Sequence, residues 1–239
     1  MREAPKLVLD LFCGAGGAAM GLHRAWPEAE IVGVDIKPQP HYPFHFVQAD
    51  AMTFPLNGFD FIWASPPCQG YTLMRHMGKR AGEGAPRLID PVRRRIRNFL
   101  HVIENVVGSP LIDPITLCGS MFNLGVRRHR LFESSFFIDD LECRHNGDWP
   151  IAVWGDGRLS RQEVRRQHRG PIAVYGDHPE DSAIHRQKDD RPGLTRRAAT
   201  LEVGSKAMGI DWMEWKELTQ AIPPAYSQYI AEQYLKGDA

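Results

Sequence analysis

The chain carries no net charge: 29 Lys and Arg offset 29 Asp and Glu over 239 residues. No overall field therefore draws it to nucleic acid or an acidic membrane, and any basic surface has to be local. It is poor in cysteine, with Cys13, Cys68, Cys118 and Cys143 in no Cys-x-x-Cys spacing. That pattern argues against a zinc site and a disulfide framework, so no metal is expected, and it favours an intracellular protein. No apolar run approaches membrane-spanning length, and the opening MREAPKLVLDLF lacks the layout of a signal peptide. A cytoplasmic protein with no membrane partner is the expectation. What is present is an ordinary globular composition, 43% hydrophobic and 24% charged, on a chain long enough for one sizeable domain and a small lobe.

Short apolar runs alternate with helical patterns. KLVLDLF (6–12) reads as a buried strand that enters the glycine-rich turn CGAGG and then the helix-like AAMGLHRAW. EIVGVDI (30–36), FHFVQAD (44–50), FDFIWAS (59–65), HVIENVV (101–107) and RLFESSFFI (130–138) read as further strands. Between 86 and 100 the period is helical, with Asp90 as cap, Pro91 at the first position, and Val92, Ile96, Phe99 and Leu100 on one face. The order predicts an α/β domain with a mostly parallel sheet.

From 139 to 198 the chain turns polar and holds a near-repeat, PIAVWGD and PIAVYGD, which predicts a small β-rich lobe. Between the copies, Arg158, Arg161, Arg165, Arg166 and Arg169 face a single glutamate. Such a run is most often a solvated face, but in an inserted lobe it is also a candidate phosphate surface. After residue 200 the apolar period returns: Asp211 and Glu214 look like a capping box, and Pro223-Pro224 opens a last helix with Tyr226, Ile230 and Tyr234 on one face and Gly237 as its stop. The organisation expected is 1–138 as catalytic domain, 139–198 as inserted lobe, and 199–239 returning to the first domain.

Gly14, Gly16 and Gly17 lie between the first strand and its helix, where amides can face a ligand. Asp35 ends the second strand, where a carboxylate can accept ribose hydroxyls, and Asp50 ends the third. Glycine turns and strand-end aspartates are common, but together they favour an adenosine ligand. Cys68 follows the fourth strand at the same edge, behind Pro66 and Pro67, which stiffen the backbone and fix the direction of the thiol. A buried packing cysteine is the plainer reading. Glu104, ending the fifth strand at the same edge, favours chemistry.

With these residues in view, the chain resembles the DNA cytosine-5 methyltransferases along most of its length. DLFCGAGG looks like their first motif, SPPCQ their nucleophile motif, ENV their glutamate motif, RRHRLF their arginine motif and QAIPPAY their last. The resemblance implies a Rossmann-like fold for S-adenosylmethionine (SAM), double-stranded DNA as partner, a lobe at 139–198 for target recognition, and a monomer in solution. It implies Phe12 stacked on adenine, Asp35 at the ribose and Asp50 at the adenine amino group, with Gly14, Gly16, Gly17, Ile36 and Pro66 completing the cofactor pocket. Cys68 would add to carbon 6 of a flipped cytosine so that carbon 5 can take the methyl group; Glu104 would act at N3, and Arg130, supported by Arg128, at the base oxygen. The positive charge of the two arginines would favour the thiolate. Arg75, Lys79 and Arg80, in a glycine-containing loop after Cys68, and Arg158, Arg161, Arg165 and Arg166 in the lobe, would meet DNA.

The chain departs from the family in three places. LGVRRHRLF is about two residues short and lacks the usual glutamine before the first arginine; Gln220 stands where asparagine is usual, and Asp35 where glutamate is common. The compact form is similar to phage and prokaryotic enzymes, acting alone or in protection against restriction. An RNA cytosine-5 methyltransferase on the same scaffold, or a catalytically weak DNA-binding relative, would share these motifs.

Overall fold

A computed structural model describes residues 2–71, 84–143 and 201–237. The repeat-bearing segment, its arginines and the loop basic residues Arg75, Lys79 and Arg80 lie outside the described residues.

Seven strands form one sheet: β1 (Leu7–Leu11), β2 (Glu30–Asp35), β3 (His45–Gln48), β4 (Phe61–Ala64), β5 (His101–Asn105), β6 (Ile115–Leu117) and β7 (Arg130–Ser134). Their spatial order is β3-β2-β1-β4-β5-β7-β6. The first five are parallel, whereas β7 runs antiparallel to both β5 and β6. The helices are α1 (Gly17–Ala25), α2 (Ile89–Ile96), α3 (Leu201–Met208), α4 (Trp215–Leu218) and α5 (Pro224–Lys236). This is the expected α/β, mostly parallel sheet. No helix among the described residues is long and apolar enough to cross a membrane.

The central strands are mostly apolar because both sheet faces are covered. Val8, Phe61, Trp63 and Val102 join Leu22 of α1, Trp26 at its C-cap, and Tyr226 and Ile230 of α5 in one core. Their alternate neighbours Leu9, Leu11, Ile62, Ala64 and Ile103 join Ile89, Val92 and Ile96 of α2 in the other. A third cluster, with Ala15, Val126, Met208, Met213 and Trp215, ties α3 and α4 to the turn after β1. The last helix is fastened against the first: Ser227 Oγ donates to Ala18 O at 2.8 Å, and a Cβ on Gly21 would stand 2.0 Å from Pro224 O.

Several boundaries move. α2 begins at Ile89, with Leu88 at its N-cap, so Asp90 does not cap it. Asp90 lies in the first turn and pairs with Arg93, which also grips Glu133 of β7 through Nε and Nη2. Pro91 is tolerated there because amides of the first turn have no intrahelical acceptor. Asp211 does not cap α4; Glu214 does, with Glu217 Oε2 accepting its amide at 2.8 Å. The strand expected to reach 138 ends at Ser134, and the short edge strand β6 was not anticipated. α5 starts and stops as read, with Pro223 at its N-cap and Gly237 closing it at φ 76°.

β1 has β2 on one side and β4 on the other, so the chain reverses its winding at β1. Ligands of open α/β sheets sit outside the carboxyl ends of strands at such a point. The turn after β1, the end of β2 and the loop after β4 all meet there.

Candidate active site

The turn after β1 is built from unusual backbone. Phe12 has φ 57°, Gly14 φ 49° and Gly16 φ 84°. Its glycines divide by role. A Cβ on Gly14 would meet nothing within 4 Å, which leaves its backbone open to a ligand. A Cβ on Gly16 would lie 2.7 Å from Pro43 Cδ, and one on Gly17 2.5 Å from Ile222 O. Gly16 and Gly17 thus also make room for the protein itself. Trp212 Nε1 donates to Ala15 O at 2.8 Å, so the C-terminal segment holds this turn as well.

Asp35 reaches back to the turn, accepting from Gly14 N at 3.2 Å through Oδ2 and from Lys37 N at 2.9 Å through Oδ1. Each oxygen keeps a second lone pair for another donor. Next to it, Ile36 is 67% exposed, an uncovered apolar side chain at the rim. Phe12 is half-buried. Asp50 is exposed, stands two residues beyond β3, and accepts Met52 N at 2.8 Å. One of its oxygens thus forms a local turn, and the other stays available.

A group missed in the sequence lies beneath the turn. Asp10 is fully buried in β1, and burial pushes its carboxyl up to about 8. Tyr42 Oη donates to its Oδ2 at 3.3 Å, while Oδ1 has no partner. The signal was the single charged residue inside an otherwise apolar strand.

The loop after β4 carries Pro66, Pro67 and Cys68. Asn105, the last residue of β5, donates Nδ2 to Pro66 O at 2.8 Å, and its Oδ1 accepts Val106 N at 3.0 Å. Cys68 O accepts Tyr71 N at 2.9 Å, and the Tyr71 hydroxyl accepts Ile89 N at 3.1 Å. The loop is therefore fixed from both sides before and after the thiol. Asn105 was read only as part of ENV, and its bond explains why an amide follows the glutamate.

Glu104 is buried, and its Oε1 lies 3.1 Å from Arg130 Nε. Burial raises its carboxyl above the ordinary range, against the pull of Arg130, Arg128 and a hydrogen bond from Ser65. Arg128 is buried too; desolvation and the adjacent Arg130 bring its guanidinium down to about 9. Its Nη2 donates to Thr219 O at 2.6 Å, and its carbonyl accepts the Tyr226 hydroxyl at 2.6 Å. Arg130 and Arg128 both act on the Cys68 thiol, drawing it down, while Glu104 opposes them. Burial outweighs the arginines, so the thiol is raised overall. The arginines pull toward the thiolate as expected, and the depth of burial sets the overall direction.

A thiol, a buried carboxyl and two guanidinium groups thus converge at one sheet edge. At the turn after β1 stand the Asp35 carboxylate and the exposed side chain of Ile36, with open space beside Gly14.

No family model and no curated protein matches the chain. Among solved structures, the Entamoeba histolytica methyltransferase EhMeth aligns over 98% of this chain and 99% of its own, with TM-score 0.51 and 15% identity. The fold is of the Rossmann-like SAM-dependent methyltransferase type. Two partial likenesses accompany it. The plantazolicin methyltransferase BpumL in complex with SAH covers 44% of this chain at 16% identity and TM-score 0.29; the chain spans 40% of that protein. The fibrillarin/Nop5p complex covers 44% at 15% identity and TM-score 0.30, and 51% of that protein is spanned.

Proposed function

We propose that this protein transfers a methyl group from SAM to carbon 5 of cytosine in DNA, with Cys68 as nucleophile. The observation that carries the reading is the convergence of Cys68, Glu104, Arg128 and Arg130 at the carboxyl edge of the sheet, beside a turn suited to an adenosine ligand. The residues present fit SAM: Gly14 leaves open space beside its backbone, Asp35 keeps acceptor capacity for ribose hydroxyls, and Phe12 and Ile36 offer apolar surface for adenine. When bound, SAM supplies the electrophilic sulfonium methyl.

The chain's own residues account for the rest. Carbon 5 of cytosine is a weak nucleophile. Cys68 Sγ gives its proton to solvent water and bonds to carbon 6, and the ring electrons pass toward N3 and carbon 5. Glu104, which burial keeps inclined to hold its proton, donates at N3. Arg130, oriented by Glu104 and by its own Nη1 bond to His129 O at 2.9 Å, binds the base oxygen. Arg128 adds charge from behind while its guanidinium braces the C-terminal segment at Thr219. After transfer, loss of the carbon 5 proton to a base expels Cys68 and restores the aromatic ring. The upward shift of the thiol at rest is compatible with this sequence, because arrival of the base couples deprotonation to attack.

The target must leave the duplex to reach a thiol at this depth. Arg75, Lys79 and Arg80 after Cys68, and Arg158, Arg161, Arg165 and Arg166 in the polar segment, are proposed to neutralise phosphates of double-stranded DNA. A role in marking DNA against restriction, in a prokaryote or its phage, belongs to the same reading. The test is to incubate the full chain with SAM and either duplex DNA or tRNA and to measure 5-methylcytosine by mass spectrometry. The product is expected in DNA; product in tRNA alone assigns the chemistry to RNA, and none in either overturns the reading.

A further inference from the structure

The spacing of the cysteines spoke against a metal, but spacing along the chain does not capture what the fold assembles. Cys118 directly follows β6, His129 directly precedes β7, and Cys143 lies beyond the far end of β7. Their donor atoms all fall within 4.8 Å of one another. Cys143 Sγ is 3.4 Å from His129 Nε2, and Ser120 Oγ stands between the thiols at 3.4 Å from Cys118 and 3.6 Å from Cys143. The cluster takes no part in the proposed methyl transfer.

We propose that Cys118, His129 and Cys143 hold a zinc-type divalent ion. Zinc binds thiolate sulfur at about 2.3 Å and imidazole nitrogen at about 2.0–2.1 Å, so tetrahedral ligands stand roughly 3.5–3.8 Å apart. The observed 3.4 Å between Cys143 and His129 is already near that spacing. Two sulfurs and one imidazole are a donor set that selects zinc over magnesium or calcium. Of the two cysteines, Cys118 is buried while Cys143 is exposed. An ion can therefore enter from the Cys143 side. Binding joins the cysteines as thiolates with release of two protons, and no electrons move. The fourth position is left to water beside the Ser120 hydroxyl.

The ion would act as a clamp. His129 lies between Arg128 and Arg130, and its carbonyl accepts Arg130 Nη1. Fixing its ring fixes the entry to β7, and fixing Cys143 anchors the start of the polar segment that follows. Only the consequence for Arg130 rests on the proposed function; the ion site stands on its own donors.

The test uses the full chain, purified with reductant and without added metal. Native mass spectrometry and elemental analysis are expected to find one zinc per chain, and Co²⁺ added to chelator-stripped protein should give a tetrahedral spectrum with a thiolate charge-transfer band. Cys143→Ser, at an exposed position, should keep the far-ultraviolet dichroism of the parent and lose the stoichiometric ion; His129→Ala should lose it as well. Parent protein with free thiols that binds neither Zn²⁺ nor Co²⁺ overturns the proposal. So does a Cys118–Cys143 disulfide in freshly purified material, or an ion retained by both variants. These readouts are independent of methyl transfer, so failure here and failure of the methyltransferase reading are separable.

Discussion

Asn105 donates its side-chain amide to the carbonyl of Pro66 at 2.8 Å, joining the end of β5 to the loop that presents Cys68. Both residues are buried, so the bond is sheltered from water. Through it, the residue after Glu104 fixes the loop that carries Cys68. That loop is stiffened by its prolines and held by its neighbour.

Replacing that amide should therefore act on chemistry more than on cofactor binding. Asn105→Ala leaves the Pro66 carbonyl without its donor, at a cost of about 1–3 kcal/mol. The expected outcome is a fall in kcat of about ten-fold or more, on the scale of 1.4 kcal/mol per decade, with the Kd for SAM unchanged. Calorimetric titration with SAM beside single-turnover rates checks it; equal losses in both would mean that the bond only supports the fold.

The glycines separate stability from binding. Gly21→Ala places a methyl group 2.0 Å from Pro224 O, a contact neither backbone can yield to. Overpacking of this kind costs about 1–3 kcal/mol or more, so thermal melting should move down clearly. Gly14→Ala meets open space and should bear only the strain of its positive φ, yet weaken SAM binding. A Gly14 variant with parental affinity would move the cofactor away from that amide.

Titration of the thiol follows from the balance around it. Burial holds Cys68 above the ordinary thiol range, and Arg130 is the chief opposing influence. The rate of Cys68 alkylation by iodoacetamide, read by peptide mass spectrometry, should rise with pH through an inflection above that of an unburied thiol. Arg130→Gln removes the cation that favours the thiolate, so the inflection should move to still higher pH. Because Arg130 also holds Glu104 down, the acid's titration moves up in the same variant. A downward move of the thiol inflection would contradict the charge balance described here.

Much of this site was legible because its residues sit at strand ends. An apolar run predicts a strand, and in a parallel sheet every strand delivers its last residue to the same edge, so Asp35, Cys68 and Glu104 came together from order alone. What the order did not carry was lateral contact. The Asp10–Tyr42 bond, the packing of Gly16 on Pro43 and the clustering of Cys118, His129 and Cys143 each join distant elements with no shared motif. The pull of the arginines on Cys68 was legible because neighbouring charges show in a sequence, whereas the depth of burial that outweighs them does not. Helix starts went astray at Asp90 and Asp211, where an acid that suits a cap was one or more residues from the cap that forms.

The central claim is that Cys68 bonds covalently to carbon 6 of a cytosine in DNA. Duplex DNA carrying 5-fluorocytosine has no proton to lose at carbon 5, so the adduct formed after methyl transfer cannot be released. Incubated with SAM and the full chain, it should yield a denaturation-resistant protein–DNA complex, with the DNA attached to Cys68 in the peptide map. Cys68→Ala should bind SAM and form no complex. An adduct formed equally by the Cys68→Ala protein, or none with the parent enzyme under conditions where it binds both DNA and SAM, would contradict the account.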